Sequence, residues 1–220
     1  MMPAPTFSYP DRMGRILLLA MEEILGSCGL DSLFDLAGLP RYEPDVSLAD
    51  QASGIPFLDL RCLQSALESA YGPLAGRGIA QRVGRACFRY GLREFGAELG
   101  LADLEFRLQP LPVKLKTSSE ALAALFNEHT NQSIHLERDE QHVYWRVEHC
   151  PLCAGRQMRA SNVARDTILR YGTCCYFTVG LLQEALYWVS GGKCFDIMEE
   201  ECIACGDSTC TIVIDQTPMA

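Results

Sequence analysis

Cysteine is the residue type best placed to do chemistry in this sequence. Eleven stand in 220 residues, and eight of them (Cys150, Cys153, Cys174, Cys175, Cys194, Cys202, Cys205 and Cys210) lie between positions 150 and 210. In an oxidising compartment such a cluster means disulfides; in a reducing one it means metal ligation or thiol chemistry. The odd total fits poorly with a fully paired disulfide framework.

Two ligand sets compete within the cluster. In the first, Cys175, Val179, Leu182, Leu186 and Val189 recur at spacings of 4, 3, 4 and 3, which puts Cys175 on the buried stripe of a helix. Alternation in the strand that follows places Glu199 on the same face as Phe195 and Ile197. A carboxylate aimed at an apolar layer is costly unless it is paired or bound to a cation. Cys202 follows three residues on, and Cys210 opens a final strand in phase with Ile212 and Ile214. Cys175, Glu199, Cys202 and Cys210 thus converge at one end of a sheet. Zn²⁺ accepts this set at ~2.3 Å from sulfur and ~2.0–2.2 Å from oxygen, and four protein ligands close the site, making the ion structural. The plainer alternative is that Cys175 and Cys210 are small buried hydrophobes.

The rival set is two CxxC pairs, Cys150 with Cys153 and Cys202 with Cys205, the material of a zinc ribbon or an iron–sulfur cluster. Here 48 residues separate Cys153 from Cys202, against ~15–20 in a usual ribbon, and the insert contains a helix. Cys150 and Cys153 could also form a redox dithiol, although no thioredoxin-type unit surrounds them.

The elements that position these groups read as follows. Residues 1–11, with three prolines, form a flexible arm. Residues 12–130 are mainly helical, with helices at 12–25, 31–36, 57–71, 78–99 and from Ser118 or Ser119 to Asn127. Residues 38–56 form a connecting loop. Residues 131–216 hold a β-hairpin (Ile134–Val147), a helix from Ala164 or Thr173 to Val189, and strands at 193–201 and 210–215. Helices followed by strands predict one α+β domain, a helical N-terminal half packed on a small antiparallel sheet. Arg82, Arg85, Arg89 and Arg93 stripe the 78–99 helix, either as a solvated face or as a dock for an acidic group.

Other signals exclude more than they assign. Nineteen basic and 28 acidic residues give a net charge of −9, unfavourable for binding phosphate backbones or anionic lipid. The apolar run Ile16–Met21 is six residues, too short for a signal peptide or a membrane span, so a cytoplasmic location is expected. Gly76-Arg77-Gly78 starts like a dinucleotide fingerprint but lacks the third small residue and the preceding strand. The four histidines, near the hairpin and without an obvious acid partner, are expected at the surface.

From Gly191 the chain reads GGKCFDIMEEECIACGDSTCTIVID. The glycine turn, the strand ending Glu199-x-x-Cys202, the Gly206-Asp207 turn and the Cys210 strand resemble the 4-vinyl reductase domain family, named for a bacteriochlorophyll 4-vinyl reductase. The same domain serves as the aromatic-effector sensor of phenol- and xylene-responsive transcription activators. The likeness is specific over about 145–216. Upstream it rests on the order of elements, including the helix bearing Gly84 and Gly91. Cys175, Glu199, Cys202 and Cys210 match the sensors' zinc ligands, with the Cys175–Cys202 interval one residue longer. Cys150-Pro151-Leu152-Cys153 is similar to a motif in some members.

The resemblance implies a ligand-binding fold of the nitric-oxide-signalling and Golgi-transport type. It also implies a structural zinc, a lipophilic pocket between helices and sheet, and a homodimer. Trp145, Tyr176, Phe177 and Trp188 are the aromatic candidates for that pocket. The expected function is a non-enzymatic carrier or sensor of a hydrophobic molecule such as a tetrapyrrole or an aromatic compound. Because the chain ends at Ala220, it would act through a separate enzyme or signalling partner. The alternative is reduction of a tetrapyrrole vinyl group with electrons from a partner. A zinc-stabilised nucleic-acid binder is disfavoured by the charge.

Overall fold

Gly72, at φ 80°, closes one helix, and the next begins at Pro73, whose missing N–H costs nothing in a first turn. A computed structural model describes residues 7–42, 54–153 and 175–219. The N-terminal part comprises strand β1 (Ser8–Tyr9), helices α1 (Asp11–Leu25) and α2 (Ser27–Ala37), strand β2 (Ile55–Pro56), and helices α3 (Phe57–Tyr71), α4 (Pro73–Leu99), α5 (Leu104–Arg107) and α6 (Leu111–His129). Then come β3 (Ile134–Arg138), β4 (His142–Val147), α7 (Tyr176–Ser190), β5 (Phe195–Glu201) and β6 (Cys210–Pro218).

Three helix starts differ from the sequence reading, the first being α2, which begins at Ser27 and not at 31. α4 begins five residues before Gly78, so Gly76 and Gly78 lie inside a helix and not in a phosphate-binding turn. α6 begins at Leu111 with Pro112 in its first turn, and Ser118 and Ser119, read as caps, are buried in its interior. Their hydroxyls donate to the Leu115 carbonyl at 3.2 and 2.8 Å, which satisfies them without a helix end. Ser8 and Tyr9, assigned to the arm by its prolines, pair antiparallel with Pro56 and Ile55. The segment in which the last helix was read as starting, at Ala164 or Thr173, lies outside the described residues.

β3, β4, β6 and β5 lie side by side in that order, every pair antiparallel. Register aligns Leu136, Trp145, Ile212 and Glu199 in one row across the sheet. On the opposite face Arg146 bridges Glu137 and Glu201 at 3.1 and 2.9 Å, a surface network of small energetic weight. The helices cover the apolar face: α6 packs on β3, and α7 on β5 and α4.

The α4–α7 crossing is set by two glycines. A Cβ on Gly84 would lie 2.0 Å from the Phe177 carbonyl oxygen, and one on Gly180 would lie 2.1 Å from that of Gln81. Contact this close needs both residues to lack a side chain. Two of the four arginines that stripe α4 meet acceptors within the chain: Arg89 pairs with Glu23 and Glu184 at 2.6 and 3.3 Å, and Arg85 donates to Gln183 at 3.0 Å. Among the described residues no helix is long and apolar enough to cross a membrane.

Candidate functional site

Five buried thiols and one buried carboxylate meet where β4, α7, β5 and β6 converge. Beyond β4, Cys150 and Cys153 sit on a tight turn closed by the Cys153 N–H donating to the Cys150 carbonyl at 3.2 Å. Cys175 precedes α7, and its carbonyl accepts the Val179 N–H at 3.0 Å, so the helix start fixes its place. Alternation in β5 turns Glu199 inward, 9% exposed, beside Ile197 and Phe195. Cys202 is held by its N–H donating to Asp207 Oδ2 at 2.8 Å, and Cys210 by accepting the Ile203 N–H at 3.4 Å.

The sulfur separations are 3.2 Å for Cys150–Cys175, 3.8 Å for Cys153–Cys175, 3.4 Å for Cys153–Cys202 and 3.5 Å for Cys153–Cys210. Zinc bonded to sulfur at ~2.3 Å has a tetrahedral edge of ~3.8 Å, so these are close to the spacings of thiolates around shared metal. Within this cluster two groups have donor atoms all within 4.8 Å of one another: Cys175, Glu199, Cys202 and Cys210, and Cys150, Cys153, Cys175 and Cys210. The first is the set read from alternation and helical period. The second contains half of the rival set, while Cys205, half-buried, belongs to neither group. Cys174 lies outside the described residues, and Cys194 is exposed.

Burial pushes the Glu199 carboxyl up to about 8, and the adjacent Cys202 sulfur adds to the rise. Hydrogen bonding to Cys150, then to Cys153, raises the Cys175 thiol, whereas Cys150 is lowered by donors from Cys153 and Cys175. A bound dication reverses this balance and ionises its ligands.

An apolar cavity of about 80 Å³ lies between α1, α4, α6, α7 and the sheet. Met13, Leu63, Phe88, Phe95, Leu122 and Leu181 are among its walls. Trp145 and Phe177, expected at a pocket, line it. Tyr176 and Trp188 do not. Tyr176 lies under the Arg77 guanidinium at 5.0 Å; Trp188 shares the stripe of Leu181 but sits two turns further on, 36% exposed and beside Phe88.

The polar groups at the cavity were not legible beforehand. Gln132 Nε2 donates to the Tyr9 hydroxyl at 2.8 Å, and burial raises the Tyr9 hydroxyl well above its ordinary range. Pro151 and Leu152 also line the cavity, so the turn carrying Cys150 and Cys153 is a wall of it. The apolar Pro-Leu insert between the two cysteines was the signal available for that wall. Three histidines have acid partners supplied by the fold: His129 meets Glu98 at 2.5 Å, His135 meets Glu148 at 3.4 Å and His142 meets Asp139 at 3.5 Å.

No protein-family model matches the sequence, and no curated protein matches it. The likeness to the 4-vinyl reductase domain therefore rests on the residues quoted above. Solved structures do match. An H-NOX protein from S. oneidensis in the Fe(II)NO ligation state is 12% identical at a TM-score of 0.57, over 94% of this chain and 99% of that one. A structure probing heme distortion in the H-NOX family is 12% identical at a TM-score of 0.56, over 96% of each chain. The phenol-responsive sensory domain of the transcription activator PoxR, with phenol, is 17% identical at a TM-score of 0.45, over 84% of this chain and 88% of that one. The chain is built on an H-NOX-like α+β fold.

Proposed function

We propose that the chain is a zinc-stabilised binding module, a carrier or sensor, for a compact hydrophobic molecule of aromatic type. The observation that carries this reading is the apolar cavity with a tyrosine hydroxyl and a glutamine amide at its wall. Such a space buries a ring, and the paired polar groups orient a hydroxyl or carbonyl on it. A ring burying ~150 Å² gains roughly 4 kcal/mol at ~25 cal/mol per Å², in the millimolar range, and one hydrogen bond adds about 1 kcal/mol.

Size favours one ring over a macrocycle. An engineered cavity of ~150 Å³ takes benzene, and this one is about half that, so modest widening suffices for a ring. A tetrapyrrole, the larger ligand suggested by the resemblance, has four rings and would require α1 and α4 to part. Haem, named for an H-NOX neighbour, needs an axial ligand, usually histidine, a thiolate, methionine or tyrosine. Among the described residues no histidine lines the cavity, while Met13, Met21, Cys87 and Tyr9 do, so the wall offers no imidazole to an iron. The size of the cavity, and not its donors, tells against haem.

The zinc proposed here is held by Cys175, Glu199, Cys202 and Cys210. It would tie the start of α7 to β5 and β6 beside the cavity wall. Pairing with a second copy and hand-off to an enzyme or signalling partner belong to the same proposal. Native mass spectrometry of the chain from its own source tests it: a bound single-ring or similarly compact compound with zinc supports the reading. A flavin or iron–sulfur spectrum with turnover of a tetrapyrrole vinyl group overturns it in favour of the reductase.

A further inference from the structure

We propose that Cys150 and Cys153 complete a second metal site, so that the chain holds two divalent thiophilic ions bridged by the sulfurs of Cys175 and Cys210. The inference rests on the preceding reading of Cys175, Glu199, Cys202 and Cys210 as one site, and adds an ion to it. Both groups of four donors satisfy the same 4.8 Å limit, and they share two members, Cys175 and Cys210. Two tetrahedra that share two corners are the geometry of a pair of ions joined by two bridging thiolates. A thiolate sulfur has lone pairs enough to bond both.

Two further observations point the same way. Within the Cys150 group three edges are 3.2, 3.5 and 3.8 Å, at or somewhat below the ~3.8 Å edge of a zinc–sulfur tetrahedron. Cys153 Sγ stands 3.4 Å from Cys202 Sγ of the other group, so these two terminal sulfurs must move apart, to ~5 Å, when both ions bind. Lastly, all six donors are buried, none more than 9% exposed. Fully ionised they carry six negative charges. Only donors that bind an ion need ionise, and two dications leave the six ionised donors with a small residual charge that hydrogen bonds can support. The backbone N–H groups of Cys175 and Ile203 already donate to Glu199 and Cys210.

The spacing also selects the chemical class. An iron–sulfur cluster interposes inorganic sulfide and spreads its thiolates wider than the edges of one tetrahedron. Soft, tetrahedral ions without added sulfide, Zn²⁺ and its congener Cd²⁺, fit sulfurs this close. Mutual repulsion of the ions is offset by the two thiolates lying between them, as in other two-ion sites at ~3.5–4 Å.

The test is metal stoichiometry of the full chain. Native mass spectrometry should find two zinc ions in the wild type and one in Cys150→Ser/Cys153→Ser. Titration of metal-free wild type with cobalt(II) should show thiolate-to-cobalt absorption rising to two equivalents. The electron paramagnetic resonance of the first ion should be quenched as the second enters, because bridging thiolates couple the spins. Saturation at one ion, retained in the double variant, overturns the second site but leaves the four-donor reading intact. Absence of any bound ion in the wild type overturns both. Should the double variant fail to fold, the wild-type cobalt titration decides alone.

Discussion

The backbone N–H of Cys175 donates to Glu199 Oε2 across 2.8 Å, joining the residue ahead of α7 to the edge strand of the sheet. That contact fixes the carboxylate next to three thiols and gives it one hydrogen bond, while burial still pushes its ionisation up to about 8. Without a cation, the folded chain therefore keeps a proton that the unfolded chain releases above ~4.3. The folded form binds more protons through that interval, so its contribution to stability is fullest below ~4.3 and falls as pH rises towards 8. In chelator, metal-free wild type should lose stability between pH 5 and pH 8 relative to Glu199→Gln, a comparison that cancels the other titrating groups. Denaturant midpoints that shift in parallel for both proteins would show that Glu199 has no such role. With zinc present the order should invert, the variant binding zinc at least ~10-fold more weakly.

Cys202 and Cys205 make a paired test. Cys202 lies in a four-donor group and Cys205 in none. Cys202→Ser should lower zinc content and melting temperature together, because metal-binding energy at a closed site is folding energy. Cys205→Ser should leave both unchanged. Equal effects of the two substitutions on zinc content would argue for a CxxC ligand pair in place of the Glu199 set.

Gly84 and Gly180 govern how closely α4 approaches α7. Alanine at either would place a methyl group about 2 Å from a carbonyl oxygen of the facing helix, backbone that cannot swing aside. Gly84→Ala and Gly180→Ala should each cost at least about 1–3 kcal/mol, the usual range for overpacking, measurable as a lower denaturant midpoint. Gly78→Ala, in the same helix with open space around it, should be neutral or stabilising.

Asp139 organises the hairpin turn. Its carboxylate accepts the Tyr144 hydroxyl and the N–H groups of Gln141 and His142, each at 2.7 Å, and is held well below its ordinary range, first by Tyr144. The stability it contributes is present above ~3.9 and is lost as pH falls through the lower folded value. Asp139→Ala should speed amide exchange in β3 and β4 at neutral pH. The difference from wild type should disappear in strong acid; a difference that persists there would assign the effect to packing.

How far the sequence disclosed this arrangement depends on the kind of signal. A strand's alternation was enough to turn Glu199 towards Ile197, because that pattern repeats over short range; the helical period marked Cys175 as buried, although it stands one residue ahead of α7 and not within it. The same local logic misplaced Ser118 and Ser119, since their hydroxyls bond back to Leu115 and do not cap a helix start. Trp188 followed the stripe of Leu181 and yet ran past the end of the cavity. Tyr9 and Gln132, 123 residues apart, meet only when β1 folds against the start of the sheet, and no local pattern encodes that pairing. The joining of Cys150 and Cys153 to the other thiols was likewise set by tertiary closure, not by spacing.

Ligand binding by the cavity is tested most directly at Gly91, which lines it and has open space where a Cβ would stand. The decisive measurement is calorimetric titration of a single-ring aromatic such as phenol into zinc-loaded wild type and Gly91→Leu, with melting temperatures to confirm that both are folded. One site with a dissociation constant of roughly millimolar or tighter is expected in the wild type, and its loss in Gly91→Leu. Equal binding by both proteins, or none by the wild type, would contradict a ring-binding cavity.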